Sequence, residues 1–304
     1  MNNLVALEPR QFPAYQEAIE RAGGKVSSLS KDVRALVWTD YSAPAKLREL
    51  LGQNPQLEWV QLPFAGVDAF ADILKLPFTF TSAKRAYSDP VAEHALTLAL
   101  ALGRVIPERV RATAWGKKFA DSLFDEDVLI VGGGGIAQVL VELLKPFRSR
   151  VTVVRKHPQE PFEGSLKALG FDSFNTEIAK AKFIFIACAL TPETRFLFDK
   201  ETFQKMRSDA YLINVARGEV VNQEDLVEAL STGEIAACAT DVTYPEPLPE
   251  DHPMWRLPNL LITPHTADTM PIVTRLFAER LEINVSAWLS GKPLIGLVDP
   301  NLGY

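Results

Sequence analysis

Cysteine is nearly absent from this chain: 304 residues contain two, Cys188 and Cys238, each inside an apolar stretch. That excludes a disulfide framework and fits buried, reduced thiols. Histidine is almost as rare, with four in all, and no Cys-x-x-Cys or His-x-x-x-His pair occurs, so the usual ligand spacings of a metal site are missing. Long hydrophobic runs are missing too. The most apolar segments, 95–103 and 183–190, fall far short of the ~20 residues that cross a bilayer. The opening segment carries Glu8, Pro9 and Arg10 but no cationic stretch leading into an apolar block, which is not the pattern of a signal peptide. A cytoplasmic protein is the expectation. Neither sign of charge dominates, since 32 Lys and Arg against 38 Asp and Glu give a net charge of −6. This argues against nucleic acid or an anionic membrane as a partner and confines any anion-binding site to a local pocket.

What is present is the composition of an ordinary globular chain, 47% hydrophobic and 23% charged, long enough for two domains of ~150 residues, each with its own core. Strand-like and helix-like segments alternate along it. Strands are expected at 4–7, 33–38, 57–61 and 78–82, with helices at 13–22 and 44–51 among them. A long buried helix is expected at 90–104, with Asp89 as its N-cap and Pro90 at its first position. A second series follows, with strands at 127–131, 150–154, 183–187, 210–215, 236–242 and 260–263, helices at 134–145 and 223–230, and a last helix at 271–289. Apolar strands separated by helices predict an α/β fold whose parallel sheets are covered on both faces.

The segment Asp127-Val-Leu-Ile-Val-Gly132-Gly133-Gly134-Gly135-Ile136-Ala137 fits G-x-G-x-x-G/A on Gly132, Gly134 and Ala137. A bare match is weak, but here a strand precedes, a helix follows, and a second strand ends about twenty residues later. Gly132 would make the tight turn, Gly134 would let the backbone approach a pyrophosphate, and Gly135 and Ile136 would open the helix whose free N–H groups receive the phosphates. The second strand ends in Val153-Val154-Arg155-Lys156-His157. An NAD site usually has Asp or Glu there for the ribose 2′-hydroxyl, whereas Arg155 and Lys156 suit a 2′-phosphate. NADP(H) is therefore expected over NAD(H).

Three polar residues each follow an apolar strand: Arg217 in Ile213-Asn-Val-Ala-Arg217-Gly218, Glu246 in Asp241-Val-Thr-Tyr-Pro-Glu246-Pro247, and His265 in Ile262-Thr-Pro264-His265. The carboxyl ends of the strands of an open α/β sheet form a ligand crevice, so the three can converge there. Taken singly, each has an ordinary structural reading. Together with Pro90-Val-Ala-Glu-His94, Leu190-Thr-Pro-Glu-Thr194 and Phe64-Ala65-Gly66-Val67-Asp68, they form an ordered set. That set resembles the D-isomer-specific 2-hydroxy acid dehydrogenases along almost the whole chain, and within them the short glyoxylate/hydroxypyruvate reductase type.

The resemblance implies two Rossmann-like or flavodoxin-like domains with an active-site cleft between them: a substrate-binding domain of residues 1–100 plus 275–304, and a dinucleotide-binding domain of residues 101–274. It implies NAD(P)H-dependent reduction of small 2-keto acids. Arg217 then clamps the carboxylate, His265 donates the proton, and Glu246 orients and charges His265. Phe64, Ala65 and Gly66 complete the substrate site. Thr191 lies near the cofactor phosphates, Ala189, Val215 and Ala216 line the cofactor, and Asp241 holds the nicotinamide carboxamide. The segment 111–115 lies where relatives extend a dimer arm, so a homodimer is expected. Asp268 departs from the family pattern; facing the pocket it would disfavour extra negative charge on a substrate, and facing solvent it would do nothing. His94 reads as a structural hydrogen-bonding residue. Two other readings stay open: reduction of D-lactate-type or bulky 2-keto acids with NADH, and a dinucleotide-sensing corepressor that works by binding a protein.

Overall fold

In the computed structural model, which describes residues 2–160 and 162–299, two parallel sheets are formed by twelve strands. The strands are β1 (Leu4–Glu8), β2 (Lys25–Val26), β3 (Ala35–Trp38), β4 (Trp59–Gln61), β5 (Thr79–Thr81), β6 (Asp127–Val131), β7 (Arg150–Val154), β8 (Lys167–Leu169), β9 (Phe183–Ile186), β10 (Tyr211–Asn214), β11 (Ala237–Thr240) and β12 (Leu260–Ile262). The helices are α1 (Pro13–Arg21), α2 (Pro44–Gln53), α3 (Ser88–Gly103), α4 (Ile106–Arg111), α5 (Gly135–Leu144), α6 (Phe174–Ile178), α7 (Lys200–Lys205), α8 (Gln223–Thr232) and α9 (Met270–Leu289). Local chemistry sets many of their ends. Pro13 and Pro44 open α1 and α2, where a missing N–H costs nothing. The Asn222 side chain caps α8 by accepting from Glu224 and Asp225 N–H.

Two compact units result, Met1–Tyr87 with Thr269–Tyr304 and Ser88–Asp268. In the first, the strand order β2-β1-β3-β4-β5 is the flavodoxin-like arrangement. Trp38, Leu47, Val60, Phe70 and Phe80 form its core, and α9 returns along α1 to close it. The second has the order β12-β11-β10-β9-β6-β7-β8, a Rossmann sheet with one further strand. Its two faces carry separate cores, one around Ile184, Phe198, Phe203 and Leu212, the other around Ile130, Leu140, Phe183 and Ile213. Strands buried on both faces explain the near-continuous apolar runs.

The unit boundaries differ from those read off the sequence. They fall after Tyr87 and Asp268 rather than after residues 100 and 274, because α3 packs on α5 and over β10 and β11. α3 also begins at Ser88, so Asp89 lies in its first turn instead of capping it; there its charge still faces the free N–H groups. The short β2 and β8 and the helices α4, α6 and α7 had no periodic signature to announce them.

Candidate active site

Strand order reverses between β6 and β9, and open α/β sheets bind their ligands at such switch points. The loops that leave these two strands are built for close approach. Gly132 has φ +120°, and a Cβ on it would lie 2.4 Å from the Ala187 carbonyl oxygen, so only glycine fits. Gly134 is the N-cap of α5, with no atom within 4 Å of where its Cβ would be. Gly135 and Ile136 then start the helix, and the buried Ala137 lets it sit close to the sheet. Across the switch point, the Thr194 hydroxyl donates to the Ala189 carbonyl (2.7 Å) and accepts from Thr191 N–H (2.8 Å), fixing that loop.

Arg155 does not project from the end of β7. It is 9% exposed, lies over the Phe162 ring at 5.0 Å, and donates to the Glu160 carbonyl. Its Nε is buried with no hydrogen-bond partner, and its aliphatic stem covers Gly133. Lys156, the next residue, is exposed.

Arg217, Glu246 and His265 all lie beyond the carboxyl ends of neighbouring strands, β10, β11 and β12. Val215 and Ala216 are buried, the Ala216 carbonyl accepts Arg217 Nη1 at 2.8 Å, and the Asn214 side chain holds both Ala216 N–H and the Arg217 carbonyl. Gly218 must be glycine, since a Cβ there would lie 2.2 Å from the Thr243 backbone. Glu246 Oε1 accepts Thr243 N–H at 3.0 Å, and Oε2 faces His265 Nδ1 at 3.0 Å. Opposite a carboxylate, Nδ1 carries the proton, which leaves Nε2 to react. The Glu246 bond is the main influence raising the His265 pKa above its ordinary value; burial and the Arg217 charge oppose it, and the charges of Glu246 and Asp241 add to it. Burial works against the charged form of Glu246. The bonds from His265 and Thr243, with the charges of His265 and Arg217, outweigh it and hold the carboxyl below its usual range.

The NAD-binding domain of the D-isomer-specific 2-hydroxyacid dehydrogenases matches residues 96–267, more than half the chain. The chain belongs to this family. A glyoxylate reductase/hydroxypyruvate reductase of Mus musculus is 37% identical over 233 residues, covering 72% of this chain and 70% of the relative. A glyoxylate reductase of Thermofilum pendens is 30% identical over 308 residues, covering 98% and 88%. Among solved structures, a D-isomer-specific 2-hydroxyacid dehydrogenase of Xanthobacter autotrophicus Py2, in complex with NADPH and MES, is similar over the full length of both chains, with 26% identity and a TM-score of 0.87.

A nicotinamide dinucleotide fits what this 2-hydroxyacid dehydrogenase presents at its switch point: an open glycine cradle on a helix N-terminus, beside a buried guanidinium nitrogen that lacks a partner. Gly132, Gly134, Gly135 and Ile136 form that cradle, and Thr191 lies in the loop that leaves β9. Asp241, expected at the carboxamide, is 2% exposed and turned into the loop that follows β12. Its carboxylate accepts from the Thr263 hydroxyl (2.5 Å), Thr266 N–H (2.9 Å) and Ala267 N–H (3.0 Å), and its carbonyl accepts His265 N–H (2.8 Å). It therefore fastens the loop on which His265 adopts φ +51°. His94 on α3 completes the fastening, 3.0 Å from the Thr263 hydroxyl and 3.3 Å from Asp241. No spacing in the sequence pairs residue 94 with 241 or 263. Asp268 is half-buried, and burial raises its pKa against the charges of His265 and Arg217.

Phe64, Ala65 and Gly66 lie in the other unit. There the Phe64 carbonyl accepts Ala83 N–H at 3.0 Å, and the ring meets those of Tyr41 and Tyr87. Among the described residues no His, Cys, Asp or Glu group is placed to hold a metal, and no helix is long and apolar enough to cross a membrane.

Proposed function

We propose that this dehydrogenase reduces small 2-keto acids of the glyoxylate and hydroxypyruvate type to D-2-hydroxy acids, with NADPH preferred. The observation that carries the reading is the His265–Glu246 pair beside Arg217, a proton donor and a carboxylate clamp at the ends of adjacent strands. The names of the mouse and Thermofilum relatives support the substrate class. The reduced nicotinamide's contribution, when bound, is a hydride for the carbonyl carbon. Arg217 offers its planar fork to the substrate carboxylate and polarises the adjacent carbonyl. His265 gives its Nε2 proton to the carbonyl oxygen, so one hydride and one proton convert ketone to alcohol. Glu246 stabilises the imidazolium before transfer and fixes its plane. In the oxidative direction neutral His265 takes the hydroxyl proton.

The NADPH preference rests on the exposed Lys156, on the charge of the inward-turned Arg155 behind it, and on the absence of an acidic residue at the end of β7. A homodimer is supported by the apolar side chains exposed along 106–124, with Val110 79%, Trp115 89% and Phe119 59% exposed. The two unpaired cysteines suit a cytoplasmic location. The test is the initial rate of 340 nm absorbance loss with NADPH and with NADH against glyoxylate, hydroxypyruvate, pyruvate and phenylpyruvate, for the wild type and Arg155→Asp. Fast NADPH oxidation with the first two acids, with the cofactor preference reversed in the variant, is expected. Absence of turnover with every acid would overturn the reading, and an unchanged cofactor ratio would overturn the role of Arg155.

A further inference from the structure

The loop that carries His265 is gathered on one residue. The Asp241 carbonyl accepts His265 N–H, and its carboxylate accepts the Thr263 hydroxyl, Thr266 N–H and Ala267 N–H. Asp241 and this loop leave neighbouring strands, β11 and β12. His94 brings in a different element, since it stands on α3, the helix that covers β10 and β11. Its Nε2 lies 3.0 Å from the Thr263 hydroxyl and 3.3 Å from Asp241 Oδ1, and its side chain is only 20% exposed. The network assigns the protons. Thr263 has one hydroxyl proton and gives it to Asp241 at 2.5 Å, so its oxygen accepts from His94 and Nε2 is the protonated nitrogen. The bonds therefore run in one direction, from His94 through Thr263 to Asp241, and end on the loop in which His265 holds φ +51°. A left-handed backbone is uncommon for a residue other than glycine and persists where its surroundings over-determine it.

We propose that His94 is a positioning residue for the proton donor: through Thr263 and Asp241 it holds the loop that sets His265 against Glu246. The role is more than that of a structural helix histidine, because the contact it protects is the 3.0 Å bond between His265 Nδ1 and Glu246 Oε2. Its kinetic consequence rests on the reductase reading above. Without the His94 donor, Thr263 loses the partner that orients its hydroxyl toward Asp241, and the His265 backbone relaxes toward an ordinary φ. The imidazole then turns from Glu246. Such a turn costs orientation in the proton-transfer step and leaves the Arg217 loop after β10 untouched. Within this unit the charged groups facing His265 include Glu246, Arg217, Asp241 and Asp268, and all four remain when His94 is replaced.

The experiment measures kcat and KM for glyoxylate and hydroxypyruvate, and the titration of the His265 ring by NMR of the four histidines, in the wild type, His94→Leu and His94→Gln. Leu suits a helix and removes the donor. Gln places an amide N–H where Nε2 stood and carries no charge, which separates the hydrogen bond from any charge on the ring. His94→Leu should lose about 10–100-fold in kcat at neutral pH, with KM within about threefold of the wild type. Its His265 ring should titrate at lower pH than in the wild type, because Glu246 no longer supports the charged form. His94→Gln should bring kcat back to within about threefold and return the titration toward the wild type. Added to Glu246→Gln, His94→Leu should move the titration no further, since both act through one contact. Unchanged kcat and titration in His94→Leu, or a loss that His94→Gln does not restore, would overturn the positioning role and leave the reductase standing. No turnover of either acid by the wild type would overturn the reductase reading, and the NMR titration would still decide the role of His94.

Discussion

Replacing Glu246 by Gln tests the proposed proton donor without removing it. Gln keeps a hydrogen-bond acceptor near His265 Nδ1 but deletes the charge. Across the observed 3.0 Å, Coulomb attraction would be about 1 kcal/mol at the dielectric of water and about 5 kcal/mol at an effective value of 20. The two side chains are 46% and 40% exposed, so screening keeps the interaction near the lower figure, about 1–2 kcal/mol. That is roughly a tenfold change in the protonation equilibrium of His265. The folded His265 pKa is raised, so the protonated, reduction-competent form is complete well below it and disappears as pH rises through it. Without the Glu246 charge this falling limb moves to lower pH. Steady-state reduction of glyoxylate followed from pH 5 to 9 should therefore show wild type and variant converging at the acid end and separating about tenfold at the alkaline end. A loss of the same size at every pH, or coincident limbs, would refute the argument that Glu246 acts by charging His265.

His265→Ala should lower kcat by about 10²–10⁴-fold while a fluorescence titration still shows NADPH binding; comparable turnover in the variant would mean that another group donates the proton. Arg217→Lys, which exchanges a planar fork for a point charge, should reduce kcat/KM for glyoxylate by about 10–100-fold, chiefly through KM. Gly132→Ala should destabilise the chain by about 2–5 kcal/mol, from its positive φ and the 2.4 Å approach to Ala187. Gly134→Ala, with open space around the added methyl, should leave the urea midpoint nearly unchanged and weaken dinucleotide binding; equal stability losses in the two variants would contradict the distinct roles given to these glycines.

Much of this protein was legible without its fold. The parallel α/β architecture follows from apolar strands alternating with helices, since a strand buried on both faces must be apolar throughout. The glycine turn was readable because strand, glycines and helix are contiguous, so local geometry alone dictates which residues can occupy it. Arg217, Glu246 and His265 could be nominated because each directly follows a strand, and parallel strands deliver their carboxyl ends to one edge.

What depends on distant segments meeting could not be read in advance. Only packing decides that α3 joins the dinucleotide-binding unit, because an apolar helix carries no mark of which sheet it covers. Only the folded chain turns Arg155 inward onto Phe162 and directs Asp241 into the His265 loop, with His94 behind it. The same is true of the loop after β5, whose Ser82 and Lys84 carbonyls accept from Arg280 nearly two hundred residues away. The sequence by itself determined the main strands and helices and which residues carry reactive groups, because those choices depend on periodicity and on contiguous geometry. The tertiary structure alone decided where those groups point and what holds them, because orientation is set by hydrogen bonds between segments that have no relation in the chain except contact.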